Sequence, residues 1–343
     1  MRAVVFEKGC GPGGLEIGQV GKPKLSYENN VLIKVIASAV NRADTIQRIG
    51  FDKAPDGESS ILGLEAAGVV EDLGITAIGY PFRIGDRVMA LLAGGGNAEY
   101  VTTSVKHIMK IPDHLSCAQA AAIPRGYISA FHILYGIAKI KPGDVVLIHA
   151  GASSVGTAAI QLVKLLFKGV AITTAGSDEK CKLTKSLGAD LAINYKTEDF
   201  LTKIKEYTKG RGVDIIMDCV GGSYWNKNIE CSALNSRWVL YGLLGGRNVN
   251  GDLRMILRKK IRIEGTILRT EDRDYISSLI KDFSEQALPL INNGTLKPVI
   301  DSILPFEKIG DAHSRMERNV NAGKIVLQIQ PDTGPISLAN SKL

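Results

Sequence analysis

At 343 residues, with 45% apolar and 22% charged side chains, the chain exceeds the usual reach of one hydrophobic core and reads as two globular domains. Its formal net charge of +7 is scattered, the densest run being Arg258-Lys259-Lys260, which argues for a solvated surface with some steering of an anionic ligand and against a nucleic-acid face. No run of about eighteen apolar residues is available to span a bilayer, Glu7 and Gly9 interrupt any signal-peptide core, and five cysteines without a C-x-x-C pair fit a reduced compartment.

The first 125 residues carry glycine turns between short apolar runs, with strands expected over 31–37, 68–73, 87–92 and 99–102, so this part reads as a β-rich domain. From 144 onward β-branched runs alternate with helical stretches, the pattern of a parallel sheet with crossover helices. Strands are expected over 144–150, 170–175, 191–195, 213–220 and 238–242, with a sixth possible over 262–268. A helix follows the turn at 151–156 with Ile160, Leu162, Val163 and Leu166 at helical spacing, and another covers 178–187, stopped by Gly188. After 268 come helices and a last strand over 325–329, expected to return to the β-rich domain. Residues 331–343 read as a flexible tail, and Asn293-Gly294-Thr295 as an unused glycosylation sequon in a chain not expected to be secreted.

A glycine turn between a strand and a helix lets backbone N–H groups and the helix dipole meet a pyrophosphate, and Gly151-x-Ser153-x-x-Gly156 is placed to do so, with Ser154 and Val155 in the same turn. The strand before it, the helix after it and the further β/α repeats turn a weak motif into a dinucleotide-binding expectation. At the end of the second strand, where an acid would bind the ribose 2′-hydroxyl of NAD, the chain reads Thr173-Thr174-Ala175-Gly176-Ser177 with Lys180 one turn later, so no carboxylate is expected to repel a 2′-phosphate. Ser177, Lys180 and Tyr195 together predict a pocket for NADPH, with Thr174 and Gly176 beside them. Separately, each has a plainer role as helix cap, solvated helix residue and edge aromatic.

With these residues, the chain resembles the medium-chain dehydrogenase/reductases, and more narrowly the zinc-independent quinone oxidoreductases related to zeta-crystallin, in the tumour-suppressor-inducible subgroup. The resemblance covers residues 1–330 and rests on Asn41-Arg42-Ala43-Asp44 with Gln47-Arg48, Leu62-Gly63-Leu64-Glu65-Ala66-Ala67-Gly68, Ala90-Leu91-Leu92 with Gly94-Gly95-Gly96, Ala121-Ala122-Ile123-Pro124, the turn at 151–156, Asp218-Cys219-Val220-Gly221-Gly222-Ser223-Tyr224-Trp225, and Gly323-Lys324-Ile325-Val326. It implies an α/β fold: a Rossmann-type doubly wound parallel sheet over 126–268 binding NADPH, and a GroES-like substrate domain from 1–125 and 269–330.

Zinc members of the superfamily place a cysteine where this chain has Asn41 and a histidine where it has Leu64; with neither ligand here and no cysteine spacing for a tetrahedral site, no metal is expected. The resemblance further implies nicotinamide between the domains near Asn41, Ser129 at its ribose or phosphate, and Gly242, Leu243 and Leu244 near its carboxamide. Leu268 and Arg269 would form the wall, with Val220 also on the cofactor. Asn41 and Phe51 are the expected catalytic positions, Asn41 holding substrate or nicotinamide ribose by its amide, with Asp44 as a structural acceptor of loop amides. The departures are Ser154 for a glycine, Phe51-Asp52 where relatives carry a tyrosine nearby, and Lys53 and Ala54 for prolines.

The expected reaction is transfer of hydride or electrons from NADPH to a quinone. An alkenal or enoyl reductase on the same fold is the first alternative, lowered by the missing tyrosine. An RNA-binding or crystallin-like structural protein is the second, against which the absence of a basic, aromatic-interleaved face argues. A homodimer through the edge strand near 262–268 is expected, and no membrane partner. The terminal Ser341-Lys342-Leu343 matches the peroxisomal import tripeptide, so the peroxisome or a related organelle such as the glycosome is the expected location, with an import receptor as partner and the cytoplasm as alternative.

Overall fold

The computed structural model describes residues 1–332, so the Ser341-Lys342-Leu343 reading lies outside the described residues. Two compact units form, one from Met1–Arg125 with Asp272 onward and one from Gly126–Glu271. No helix among the described residues is long and apolar enough to cross a membrane.

The first unit begins with β1 (Arg2–Val5), β2 (Glu16–Gln19), β3 (Val31–Val40), α1 (Arg42–Ile49), β4 (Glu65–Leu73), β5 (Arg87–Leu91), β6 (Tyr100–Thr103), β7 (Ile108–Lys110) and α2 (Cys117–Ala120). β3 is nearly continuous apolar sequence because it is flanked by β4, β6 and a strand from the chain's end. It runs past the expected boundary at 37 because Ala37, Ser38, Ala39 and Val40 also pair. β4 likewise starts earlier than 68, since Glu65, Ala66 and Ala67 pair with Leu91, Ala90 and Met89. The short strands β1, β2 and β7 were not anticipated.

The second unit contains α3 (Pro124–Phe131), which begins just ahead of it, then β8 (Val145–Ile148), α4 (Ser154–Gln161), β9 (Val170–Ala175), α5 (Asp178–Ser186), β10 (Leu191–Asn194), α6 (Phe200–Tyr207), β11 (Val213–Asp218), α7 (Trp225–Cys231), β12 (Ser232–Leu240), α8 (Arg254–Lys259) and β13 (Arg262–Gly265). All pairings are parallel, in the six-stranded order β10-β9-β8-β11-β12-β13, a doubly wound sheet whose strand order reverses between β8 and β11. Leu147, Ile172, Ile193, Phe200, Ile216 and Trp238 fill its core. Each such side chain, once fully buried, stabilises by about 1.5–3 kcal/mol.

β8 and β10 are shorter than the expected 144–150 and 191–195, and three further strands differ from the sequence expectation for local reasons. β11 stops at Asp218 rather than 220 because the Asp218 carboxylate accepts the Val220 and Gly221 N–H groups, at 2.7 and 3.0 Å, and turns the chain out of the sheet. β12 starts at Ser232 rather than 238, its early part disguised by exposed Leu234 and by Asn235 at φ 61°. β13 ends at Gly265 rather than 268: the Thr266 N–H still donates to Leu240 O at 2.9 Å, but its hydroxyl bonds His132 at 2.8 Å and Glu271 at 3.0 Å and a 3-10 turn follows over 268–270. The latter bonds also keep 269–271 with this unit.

The chain then returns to the first unit as α9 (Arg273–Gln286), α10 (Leu288–Asn292), β14 (Ile300–Pro305), α11 (Ile309–Glu317) and β15 (Lys324–Gln328). β15 pairs antiparallel with β3, and β14, not anticipated, pairs parallel with β15 at the sheet edge. Ile33, Val35, Val70, Val88, Phe306 and Leu327 lie in this core.

Candidate active site

The second unit's candidate site lies at the carboxyl ends of its strands. Beyond β8 the turn is pinned on both sides: His149 N–H donates to Met217 O at 3.1 Å and Gly151 N–H to Thr174 O at 2.9 Å. Ser153 then caps α4, its Oγ accepting the Gly156 N–H at 3.0 Å. The Ser154 and Val155 amides, in the first turn, precede any intrahelical acceptor and suit an anion. Glycine is required at 156, where a Cβ would lie 2.5 Å from Ala150 O, and at 151, where it would lie 2.7 Å from Thr173 Cβ. Ser154 fits because α3 supplies Gly126, whose own Cβ would lie 2.5 Å from Ser154 Oγ.

At the end of β9, Thr174 is buried and its hydroxyl is 3.0 Å from His149 Nδ1, so it faces inward. Gly176 leaves room for the Tyr195 phenol, which a Cβ would approach to 2.8 Å. Ser177 caps α5, accepting the Lys180 N–H at 3.3 Å. Gly176, Ser177 and Tyr195 therefore lie together with Lys180 on the next turn, and Tyr195 is partly exposed. One expectation needs correction: carboxylates do stand here. Asp178 and Glu179 occupy the first turn of α5, where the helix dipole favours acids. Asp178 accepts from Asn194 Nδ2 at 2.8 Å, and the Glu179 carboxyl is held below its usual range by hydrogen bonds to its own N–H and to Ser177.

A buried network unseen in the sequence supports these loops. His149 Nε2 is 2.8 Å from Asn228 Oδ1, and Asn228 Nδ2 and Trp238 Nε1 each donate to Asp218 Oδ2 at 3.1 Å. Burial holds the His149 imidazole below its ordinary pKa, outweighing the nearby Asp218 carboxylate, so the ring is neutral. The sequence signal was limited to His149 and Asp218 inside otherwise apolar expected strands; Asn228, on α7, gave none. Val220, held by Asp218, accepts from Gly245 N–H at 2.7 Å, and Leu244 N–H donates to Cys219 O at 3.0 Å, lacing the 219–222 and 242–246 loops together. Gly242 lies beside Cys219, and Leu243 and Leu244 are exposed. Ser129 is half-buried on α3, and Leu268 and Arg269 are buried.

In the first unit, Asn41 joins β3 to α1. The β3–β4 and β3–β15 registers bring Glu65 and Lys324 to it. Lys324 Nζ lies 2.6 Å from Glu65 Oε1 and 2.8 Å from Asn41 Oδ1, and Asn41 Nδ2 donates to Glu65 Oε1 at 2.9 Å. The Asn41 amide, expected to be available to a ligand, is thus engaged at both of its heavy atoms. Asp44 accepts the Asn41 N–H at 2.7 Å and the Gly63 N–H at 2.9 Å, the structural role expected of it. Phe51 is 86% exposed and forms no wall within its own unit. Leu64 is fully buried, and among the described residues no group of three or more His, Cys, Asp or Glu is arranged to hold a metal.

Residues 27–113 match the alcohol dehydrogenase GroES-like domain and residues 154–291 the zinc-binding dehydrogenase domain. Human quinone oxidoreductase is 33% identical over 333 residues, covering 95% of this chain and 97% of that protein. The mouse synaptic vesicle membrane protein VAT-1 homolog-like is 28% identical over 360 residues, covering 99% and 84%. Among solved structures, Escherichia coli quinone oxidoreductase complexed with NADPH superposes with a TM-score of 0.85 at 26% identity, covering 96% of this chain and all of that one. CurK enoyl reductase reaches a TM-score of 0.82 at 27% identity, covering 96% and 99%. The VAT-1 likeness was not expected from the sequence motifs.

Proposed function

The chain belongs to the quinone oxidoreductase family of the medium-chain dehydrogenase/reductases, and from that premise we propose that it reduces a quinone at the expense of NADPH without a metal. The observation that carries this reading is the turn at 151–156, whose unpaired first-turn amides and two obligatory glycines stand where the strand order reverses, with Ser177, Lys180 and Tyr195 at the end of the neighbouring strand. When bound, NADPH supplies hydride or electrons. The Ser154 and Val155 amides would hold its pyrophosphate. Ser177, Lys180 and Tyr195 would hold a 2′-phosphate, against the local repulsion of Asp178 and Glu179. Asn41 would donate its remaining amide N–H to the acceptor or the nicotinamide ribose. Its neutrality, with buried Leu64, supports a metal-free reaction, in which the residues orient an acceptor that is already electrophilic and solvent protonates the product.

The likeness to CurK enoyl reductase favours a second reading, reduction of an activated C=C bond. Oxidation of NADPH and NADH, each with an ortho-quinone and an enal, on wild type and Lys180→Ala, separates them. Quinone turnover with NADPH preferred, and an NADPH KM raised about tenfold or more by Lys180→Ala, is expected. Turnover of the enal alone moves the assignment to the second reading, and turnover of neither ends both. We further propose a homodimer through the exposed edge of β13, checked by light scattering, and organelle import through Ser341-Lys342-Leu343, checked by deleting that tripeptide from a tagged full chain.

A further inference from the structure

A fully buried pair of opposite charges in the first unit meets where three strand ends converge. The Lys324 and Glu65 side chains are 1% and 0% exposed, and Glu65 Oε2 also accepts the Arg125 N–H at 2.8 Å. Taking two charges this completely out of water is expensive, and an apolar pair of like volume often serves stability as well. Their arrangement does something an apolar pair could not. Asn41 presents its Oδ1 to the ammonium and its Nδ2 to the carboxylate. Flipping the amide would set NH2 against ammonium and carbonyl oxygen against carboxylate, exchanging two attractions for two repulsions. One N–H of Asn41 is left over by these contacts, on a residue only half-buried. The adjacent ammonium draws density from the amide oxygen and strengthens that N–H as a donor.

We infer that Glu65 and Lys324 are positioning residues that lock the Asn41 carboxamide in one orientation and present its remaining N–H, polarised, to an acceptor oxygen that gains negative charge during reduction. A donor fixed before the reaction needs no reorganisation when that charge appears. The inference rests on the reading of Asn41 as an acceptor-binding group, and it names a carbonyl-type oxygen as what Asn41 meets.

The test uses the full chain and the double variant Lys324→Met/Glu65→Gln, which removes both charges together and strands neither. In protein labelled with ¹⁵N at asparagine, the Asn41 side-chain resonances are assigned by their loss in Asn41→Asp. Their exchange with solvent is expected to be at least tenfold slower than that of exposed asparagines, and at least tenfold faster in the double variant than in wild type. Kinetically, the double variant should lose tenfold or more in kcat with the NADPH KM within twofold, and Lys324→Arg should recover part of the loss. Wild-type exchange as fast as that of exposed asparagines overturns the lock without any variant. A folded double variant with unchanged exchange, or with kcat within twofold of wild type, overturns it as well. If wild type reduces neither quinone nor enal, the functional reading has failed, and exchange alone then decides whether the lock exists.

Discussion

Asp218 in the second unit and Glu65 in the first are both completely buried carboxylates, and the two are satisfied in opposite ways; Asp44, equally buried in the first unit, takes backbone amides as Asp218 does. Asp218 accepts only from neutral donors: the Val220 and Gly221 amides, Asn228 and Trp238. Glu65 faces a buried ammonium, an asparagine amide and one backbone N–H. Satisfying an acid with backbone amides fixes the path of loops, which suits a surface that meets a ligand through main-chain donors. Satisfying it with a cation fixes a side chain, which suits a group that must donate in one direction. The loops around Asp218 are therefore specified mainly by backbone, and the orientation of the Asn41 amide by side chains.

The comparison breaks most visibly at Asp218. Asp218→Ala leaves four donors without their acceptor, and with unsatisfied buried groups costing about 1–3 kcal/mol each, a loss of roughly 3 kcal/mol or more is expected. Because Trp225 and Trp238 both lie in the second unit, tryptophan fluorescence during urea unfolding reads this loss directly.

Acid tests the first unit. His107, half-buried beside Ser277 Oγ at 3.1 Å, is pushed down to about 4 from its ordinary 6.5, mainly by loss of solvent around the ring, and His313 to about 3 by burial and the Arg48 guanidinium. Below pH 6.5 the unfolded chain binds protons that these folded rings refuse. Stability is therefore full above about pH 6.5 and falls as pH drops toward 4, by about 3 kcal/mol for His107 alone. Hydrogen exchange of β3 between pH 4 and 7 should show this slope, and His107→Gln should flatten it by about one proton.

A smaller effect separates backbone from side-chain specification in the candidate site at 151–156. Gly156→Ala places a methyl 2.5 Å from Ala150 O, so α4 must shift and NADPH binding, followed by fluorescence titration, should weaken about tenfold, about 1.4 kcal/mol. The smallest effect belongs to Phe51. Because it is 86% exposed, Phe51→Ala should change stability by no more than about 0.5 kcal/mol while the acceptor KM moves, and an unchanged KM for every acceptor would remove Phe51 from the substrate loop.

Much of the second unit was legible because its strands are buried on both faces and read as apolar runs between glycine turns; β9 in particular occupies the expected 170–175. The strand that misled, β12, hides Asn235 in a left-handed conformation and exposes Leu234, so neither alternation nor continuity marks its first half. The turn at 151–156 was legible because glycine and serine have local reasons to be there. The inward turn of the Thr174 hydroxyl to His149 was not, because the partner is set by packing between strands rather than by neighbours in the chain.

What the sequence determined by itself was the α/β class, the place of the parallel unit, the family and the strand-to-helix turn at 151–156, because periodicity, turn chemistry and short motifs act over a few residues. Only the tertiary structure decided which polar residues face one another. Asn41, Glu65 and Lys324 are brought together by strand register across 283 positions of separation between Asn41 and Lys324, as His149, Asn228 and Asp218 are by a parallel sheet and its helix. A lysine in a β-strand looks solvated until the fold closes over it, because burial is a property of neighbours distant in the chain.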